Sequence, residues 1–174
     1  LEPAVAASYF QSQQPENRKS ICSAAVWFRL ASALVIAGIV FGLAPQLSRL
    51  IFGTDDYAGC MRIVAGIIPC FLFVGIIKQL LRIGFLPFRF NLIAVGNAAL
   101  YAGLAIFFVA FMKKGVVGAL SAALVAGAVF SFIGFIVARN MFSSGPSASD
   151  LKRMLLFGLP LMPSLLACWI IDFS

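Results

Sequence analysis

The sequence predicts an all-α, polytopic transmembrane helix bundle. Three observations carry that prediction. The 174 residues are 62% hydrophobic, with a mean hydropathy of +1.04. Only 11% are charged, where a soluble domain has about 25%. Long charge-free runs alternate with short polar stretches, among them Phe90–Met112 (23 residues) and Gly115–Ala138 (24 residues). A run of about 20 apolar residues crosses the ~30 Å hydrocarbon core as a helix.

In chain order, Leu1–Phe10 resembles the tail of an earlier helix, and residues 11–20 read as a polar linker broken by Pro15. Ile21–Ala44 is the first complete span, ended by Pro45. It carries Gly38 and Gly42 as GxxxG, a spacing that lets another helix approach closely. Residues 46–53 form an amphipathic connector. Thr54, Asp55 and Asp56 then read as a helix start: a hydroxyl cap, with two carboxylates at the positive end of the helix dipole. That helix runs to about Ile83. At 1.5 Å per residue it reaches roughly 43 Å, so it overshoots the bilayer, tilts, or bends at Pro69.

Residues 82–90 are expected to be a loop with Gly84 and Pro87, whose arginine and aromatic residues suit a headgroup layer. Phe90–Met112 is the next span, with Ala94, Ala98 and Ala102 as a small-residue stripe. Lys113, Lys114 and Gly115 make a tight turn. Gly115–Ala138 returns through the membrane with a longer stripe: Gly115, Ala119, Ala123, Gly127 and Ser131. Residues 139–149 form a Ser/Gly-rich loop, and Ser147 with Asp150 resembles a capping box.

The final stretch, Asp150–Ser174, opens on Lys152 and Arg153 and runs apolar from Met154 to Ile171, 18 residues. Pro160 and Pro163 lie inside it and kink or break the helix. The sequence starts at Leu1 and stops inside this segment, so the expectation is four complete spans within a longer chain.

The net charge is +7. The basic residues fall mostly between apolar runs, as orienting charges do, which argues against nucleic acid as a partner. Span alternation puts Arg18, Lys19, Arg82, Arg89, Arg139, Lys152 and Arg153 on one side, and Arg49, Arg62, Lys113 and Lys114 on the other with Asp55 and Asp56. The positive-inside rule makes the first side cytoplasmic, placing loops 11–20, 82–90 and 139–153 there. The chain contains no His, and its four cysteines, Cys22, Cys60, Cys70 and Cys168, lack CxxC spacing. No cofactor site, metal cluster or nucleophile–base pair is read from it, and the expectation is a protein that is not an enzyme.

Arg29 and Lys78 are the cations inside the spans, both in the cytoplasmic half. They either line a cavity that attracts an anionic headgroup such as a pyrophosphate, or snorkel to the interface. Asp172 is either a cation or proton site in the bundle or an interfacial residue. Pro69, Pro160 and Pro163 are candidate hinges, although most membrane prolines are accommodated kinks. The Asp55–Asp56 pair would suit a metal, but it already has a structural account as a first helical turn.

Three stretches resemble the polysaccharide biosynthesis (Wzx-like) flippases of the multidrug/oligosaccharidyl-lipid/polysaccharide exporter superfamily. LKRMLLFGLPLMPSLLACWIIDFS is similar to the opening of that family's second half. LAPQLSRLIFGTDDYAGCMRIVAGIIP looks like its connector between the third and fourth spans, and LLRIGFLPFRFNL like its cytoplasmic loop before the fifth. The similarity covers most of Tyr9–Ser174.

The resemblance implies a two-lobe bundle of 12 to 14 helices. Residues 1–174 would be part of the N-terminal lobe: the end of span two, spans three to six and the start of span seven. It also implies alternating access in a bacterial inner membrane, flipping an undecaprenyl-pyrophosphate-linked oligosaccharide toward the outer leaflet for O-antigen, lipopolysaccharide or other surface polysaccharide synthesis. The implied partners are membrane lipids, the lipid-linked oligosaccharide and other polysaccharide-assembly membrane proteins. An ion-coupled drug exporter of the same superfamily would show more carboxylates in its spans. A lipid-phosphate enzyme would need Asp55 and Asp56. A non-transporting scaffold in glycan assembly would tolerate loss of the Arg29 and Lys78 charges.

Overall fold

A computed structural model describes residues 15–139, with the backbone alone for residues 15–19 and 21. Residues 29–139 form one compact unit; residues 15–28 belong to a second and are described as the first part of helix α1. The described elements are α1 (Pro15–Gly42), α2 (Ala44–Phe52), α3 (Ala58–Ile83), α4 (Pro87–Ile106) continued by a π-helical segment (Phe107–Phe111), and α5 (Gly115–Ala138). No strand occurs among the described residues. Four of these helices are long and apolar enough to cross a membrane: Cys22–Gly42, Ala58–Ile83, Pro87–Phe111 and Gly115–Ala138. The protein is a multi-pass membrane helix bundle.

Several boundaries differ from the expectation. Residues 15–20, expected as part of a polar linker, are helical and belong to α1. Cys22, Ser23, Ala24, Ala25 and Val26 are all buried. The first span ends at Gly42. Pro45 belongs to the first turn of α2, with Leu43 between the two helices. α2 stops at Gly53, whose φ of 73° is the left-handed conformation that glycine adopts without penalty.

Thr54, Asp55 and Asp56 do not start α3. They lie in the turn before it, the helix begins at Ala58, and its first turn contains no acidic residue. The Thr54 carbonyl and the Asp55 carboxylate are committed backwards. The Ser48 hydroxyl donates to the Thr54 carbonyl at 2.6 Å, and Arg49 pairs with Asp55. The expected 82–90 loop shrinks to residues 84–86, since Pro87 again sits in a first helical turn. The end of α3 is closed by Leu86 N–H to Leu81 O at 3.0 Å and Phe85 N–H to Arg82 O at 3.2 Å. This is the Schellman pattern, with Phe85 rather than a glycine in the left-handed position at φ 52°.

α5 is the centre of the 29–139 unit. It packs chiefly on α3 and α4. Leu124 lies over Gly66, Gly127 over Cys70 and Gly134 over Ile77. Numbering rises together along the two helices, so α3 and α5 run parallel. Against α4 it runs antiparallel: Phe130 fills the space beside Gly96, and Gly118 lies against the Phe108 backbone. The expected stripe of Gly115, Ala119, Ala123, Gly127 and Ser131 is therefore only partly the packing face. The buried line is Gly118, Ala122, Ala126, Phe130, Gly134 and Ala138. Ala98 and Ala102 of α4 are exposed, so its alanine stripe is not a seam; Ile93 is buried instead. Gly38 and Gly42 also face open space among the described residues.

Candidate functional site

Arg29 lies seven residues beyond Cys22, where the first span begins, which is ~10 Å at helical rise. Its side chain is half-buried, and its Nε has no hydrogen-bond partner among the described residues. The Ser32 hydroxyl donates to the Arg29 carbonyl at 3.0 Å, which satisfies backbone and leaves the guanidinium untouched. A charged donor withdrawn from water without an acceptor costs free energy, and more so at membrane depth. Arg29 is thus a donor placed where an acceptor from outside the described residues would relieve it.

Lys78 is half-buried on α3, five residues before Ile83 and ~7.5 Å from the helix end. Val74, Ile77 and Leu81 around it are buried, so its stem runs along apolar packing. Neither cation has an ion pair among the described residues. Span alternation puts both at the same end of the bundle. Among the described residues, α1 has no extensive packing contact with the helix that carries Lys78.

Pro69 lies within α3, which continues through it. Beside it, α5 lies against this stretch of α3: Leu124 sits over Gly66, and the Ser131 hydroxyl donates to the Cys70 carbonyl at 3.3 Å. Asp172, Pro160 and Pro163 lie outside the described residues, as do the capping box of Ser147 and Asp150 and the basic pair Lys152 and Arg153.

Asp55 is occupied. Arg49 meets it through two hydrogen bonds, Nε to one carboxylate oxygen at 2.5 Å and Nη2 to the other at 2.6 Å. These bonds hold the Asp55 carboxyl below the usual aspartate range, with the Arg49 charge adding to the effect. Among the described residues, no three His, Cys, Asp or Glu side chains converge as metal ligands would. The same end of the bundle carries two cations over rings: Arg62 over Phe41 at 5.9 Å and Lys114 over Phe108 at 6.0 Å.

The Arg49–Asp55 pair was not legible as a pair in the sequence. Its six-residue spacing fits no helical contact and arises only because Gly53 turns the chain back. The Ser131–Cys70 contact was also hidden, since 61 residues separate its partners.

No curated protein and no solved structure matches the chain. One family model does match, that of the polysaccharide biosynthesis protein family, over residues 5–174. The match takes in all the described helices and continues on both sides of them. The chain belongs to the polysaccharide biosynthesis protein family.

Proposed function

We propose that the protein is part of a flippase that moves a polyprenyl-pyrophosphate-linked oligosaccharide across a bacterial inner membrane, toward the outer leaflet. Residues 1–174 are then a portion of the N-terminal lobe, and the complete protein works by alternating access of two lobes. The observation that carries the reading is Arg29, a guanidinium within a membrane span whose Nε is buried without an acceptor among the described residues. A pyrophosphate headgroup supplies such an acceptor, and Lys78 adds positive charge at the same end of the bundle. No bond in the glycan is made or broken, so no catalytic residue is required. The four described spans contain no Asp or Glu, which favours this cargo over ion-coupled drug export.

The test is export in a cell lacking its own lipid-linked oligosaccharide flippase. The complete reading frame is expected to restore surface polysaccharide. Residues 1–174 alone are expected not to flip in liposomes, because an access cycle needs two lobes. Failure of the complete frame with several glycan systems, or robust flipping by the 174 residues, overturns the proposal.

A further inference from the structure

Helix α2 has three distinct flanks. Ala44 and Ser48, one turn apart, are completely buried, and α2 packs on α3. Leu50, with Leu43 just before the helix, marks a second flank, 82% and 41% exposed, and Ile51, 60% exposed, lies at its border with the buried one. Arg49 stands two positions from Ile51, about 200° round the helix, with its side chain 70% exposed and bonded to Asp55. One flank is therefore dry against protein, one is apolar and uncovered, and one is ionic. The arrangement is fixed at its C-terminal end by Ser48 to the Thr54 carbonyl, by Gly53, and by the Phe52–Tyr57 ring pair at 4.7 Å.

The chain says what covers the apolar flank. Gly42 ends one membrane span and Ala58 begins the next, so α2 is tethered to the bilayer at both ends. At nine residues, or ~13 Å, it cannot cross the core. An amphipathic helix held at this level has acyl chains on one side and water on the other. Tyr57, whose ring packs against Phe52, is a residue type that settles among headgroups.

We propose that α2 is an interfacial foot, lying in the headgroup–acyl boundary of the leaflet where α1 ends and α3 begins. Leu43, Leu50 and Ile51 enter the acyl chains, and the Arg49–Asp55 pair faces water. The partner is the lipid surface itself. This assignment is independent of what the protein transports.

The experiment is spin-label depth measurement on the full chain in vesicles of phosphatidylethanolamine and phosphatidylglycerol. Cys22, Cys60, Cys70 and Cys168 are replaced by alanine, and single labels are placed by Leu50→Cys and Ile51→Cys. Asp56→Cys is the water control. Val95→Cys, 66% exposed on α4, is the hydrocarbon control. Labels at 50 and 51 are expected to be relaxed more by oxygen than by a water-soluble nickel chelate, at depths between the two controls. Three results overturn the proposal: values equal to those at 56, depths equal to that at 95, or labels reached by neither reagent, which would mean that protein covers the flank. Should Leu50→Cys fail to fold, Leu50→Trp with Trp27→Phe and Trp169→Phe gives the same depth by quenching with brominated lipids. Quenching there is expected to be strongest for bromines placed high on the acyl chain, and no quenching overturns the assignment.

Discussion

Ser131 on α5 donates its hydroxyl to the backbone carbonyl of Cys70 on α3, at 3.3 Å and immediately after Pro69. Pro69 has no N–H for the carbonyl four residues earlier, and its ring crowds that carbonyl. The backbone around a membrane proline is usually re-satisfied by neighbouring hydroxyls and close helices. The Ser131 bond reaches the Cys70 carbonyl and not the freed carbonyl of Ala65, so what α5 supplies here is a close tie to the next residue, and Gly127 permits the approach: a Cβ there would stand 3.1 Å from Cys70 Cβ. The consequence is that Pro69 sits in a braced segment of α3. Removing the hydroxyl by Ser131→Ala is expected to cost about 0.6 kcal/mol, the usual scale of such a bond between membrane helices. Gly127→Leu is expected to cost considerably more, because it forces the two helices apart. Thermal unfolding in detergent, read by circular dichroism, measures both. An Ser131→Ala variant no less stable than the parent would show that the contact contributes nothing.

The Arg49–Asp55 pair makes a prediction about acid. Its bonds lower the Asp55 pKa in the folded protein relative to the unfolded chain, where an aspartate titrates near 3.9. The pair therefore stabilises the folded state at pH values above about 4, and this contribution is lost as pH falls through the folded value. At neutral and mildly acidic pH the turn from Gly53 to Tyr57 is expected to keep its latch. In Arg49→Ala the Asp55 midpoint is expected to rise toward 3.9, as read by the carboxyl carbon shift of labelled aspartate. An unchanged midpoint would mean that the pair does not persist in the membrane. Both groups are well exposed, so salt is expected to weaken the pair and move the midpoint the same way.

The helix bundle was legible because lipid leaves the backbone no other choice. A charge-free run such as Gly115–Ala138 has to satisfy its own hydrogen bonds, and its bounds emerged as read. Starts and stops were less legible, because prolines such as Pro45 and Pro87 serve equally as breakers and as first-turn residues. Faces were the least legible. The stripe from Gly115 to Ser131 consists of small residues, but a small residue marks a close approach only where a neighbour arrives. Phe130, a large residue, lies in the buried line of α5 because Gly96 on α4 leaves room for its ring. Arg29 and Lys78 stood out as rare charges within spans, yet the light packing between their helices could not be read from spacing.

The junction of the π-helical segment with α5 is sensitive to single atoms. Met112 N–H reaches back to Phe107 O at 3.1 Å, and Lys114 N–H to Phe108 O at 3.2 Å. A Cβ on Gly118 would meet that same Phe108 oxygen at 3.1 Å and Lys114 Cβ at 3.0 Å. The oxygen belongs to backbone and cannot swing aside as a side chain would. Gly118→Val is therefore expected to destabilise by about 1–3 kcal/mol, the range for overpacked interiors. Gly103→Ala is the control, since its Cβ meets nothing within 4 Å and is expected to be neutral or stabilising. Unfolding midpoints of the two variants in the same detergent decide the matter. Equal midpoints would mean that α4 does not hold α5 this closely.

Arg29 allows the transport proposal to be tested at one atom. Snorkelling asks only for a long cationic stem, so Arg29→Lys would then export as well as the parent. Headgroup binding uses the planar donors of the guanidinium, whose Nε is the buried group. Under that reading, Arg29→Lys is expected to reduce surface polysaccharide in the complete protein, and Arg29→Ala to reduce it by about tenfold or more, the scale of a lost charge-assisted hydrogen bond. Lys78→Arg is expected to be tolerated, because a compact ammonium beside apolar packing acts as a point charge. Protein level in the membrane, measured in parallel, separates lost function from lost folding. Full export by Arg29→Ala at normal protein level would remove Arg29 from the cargo path.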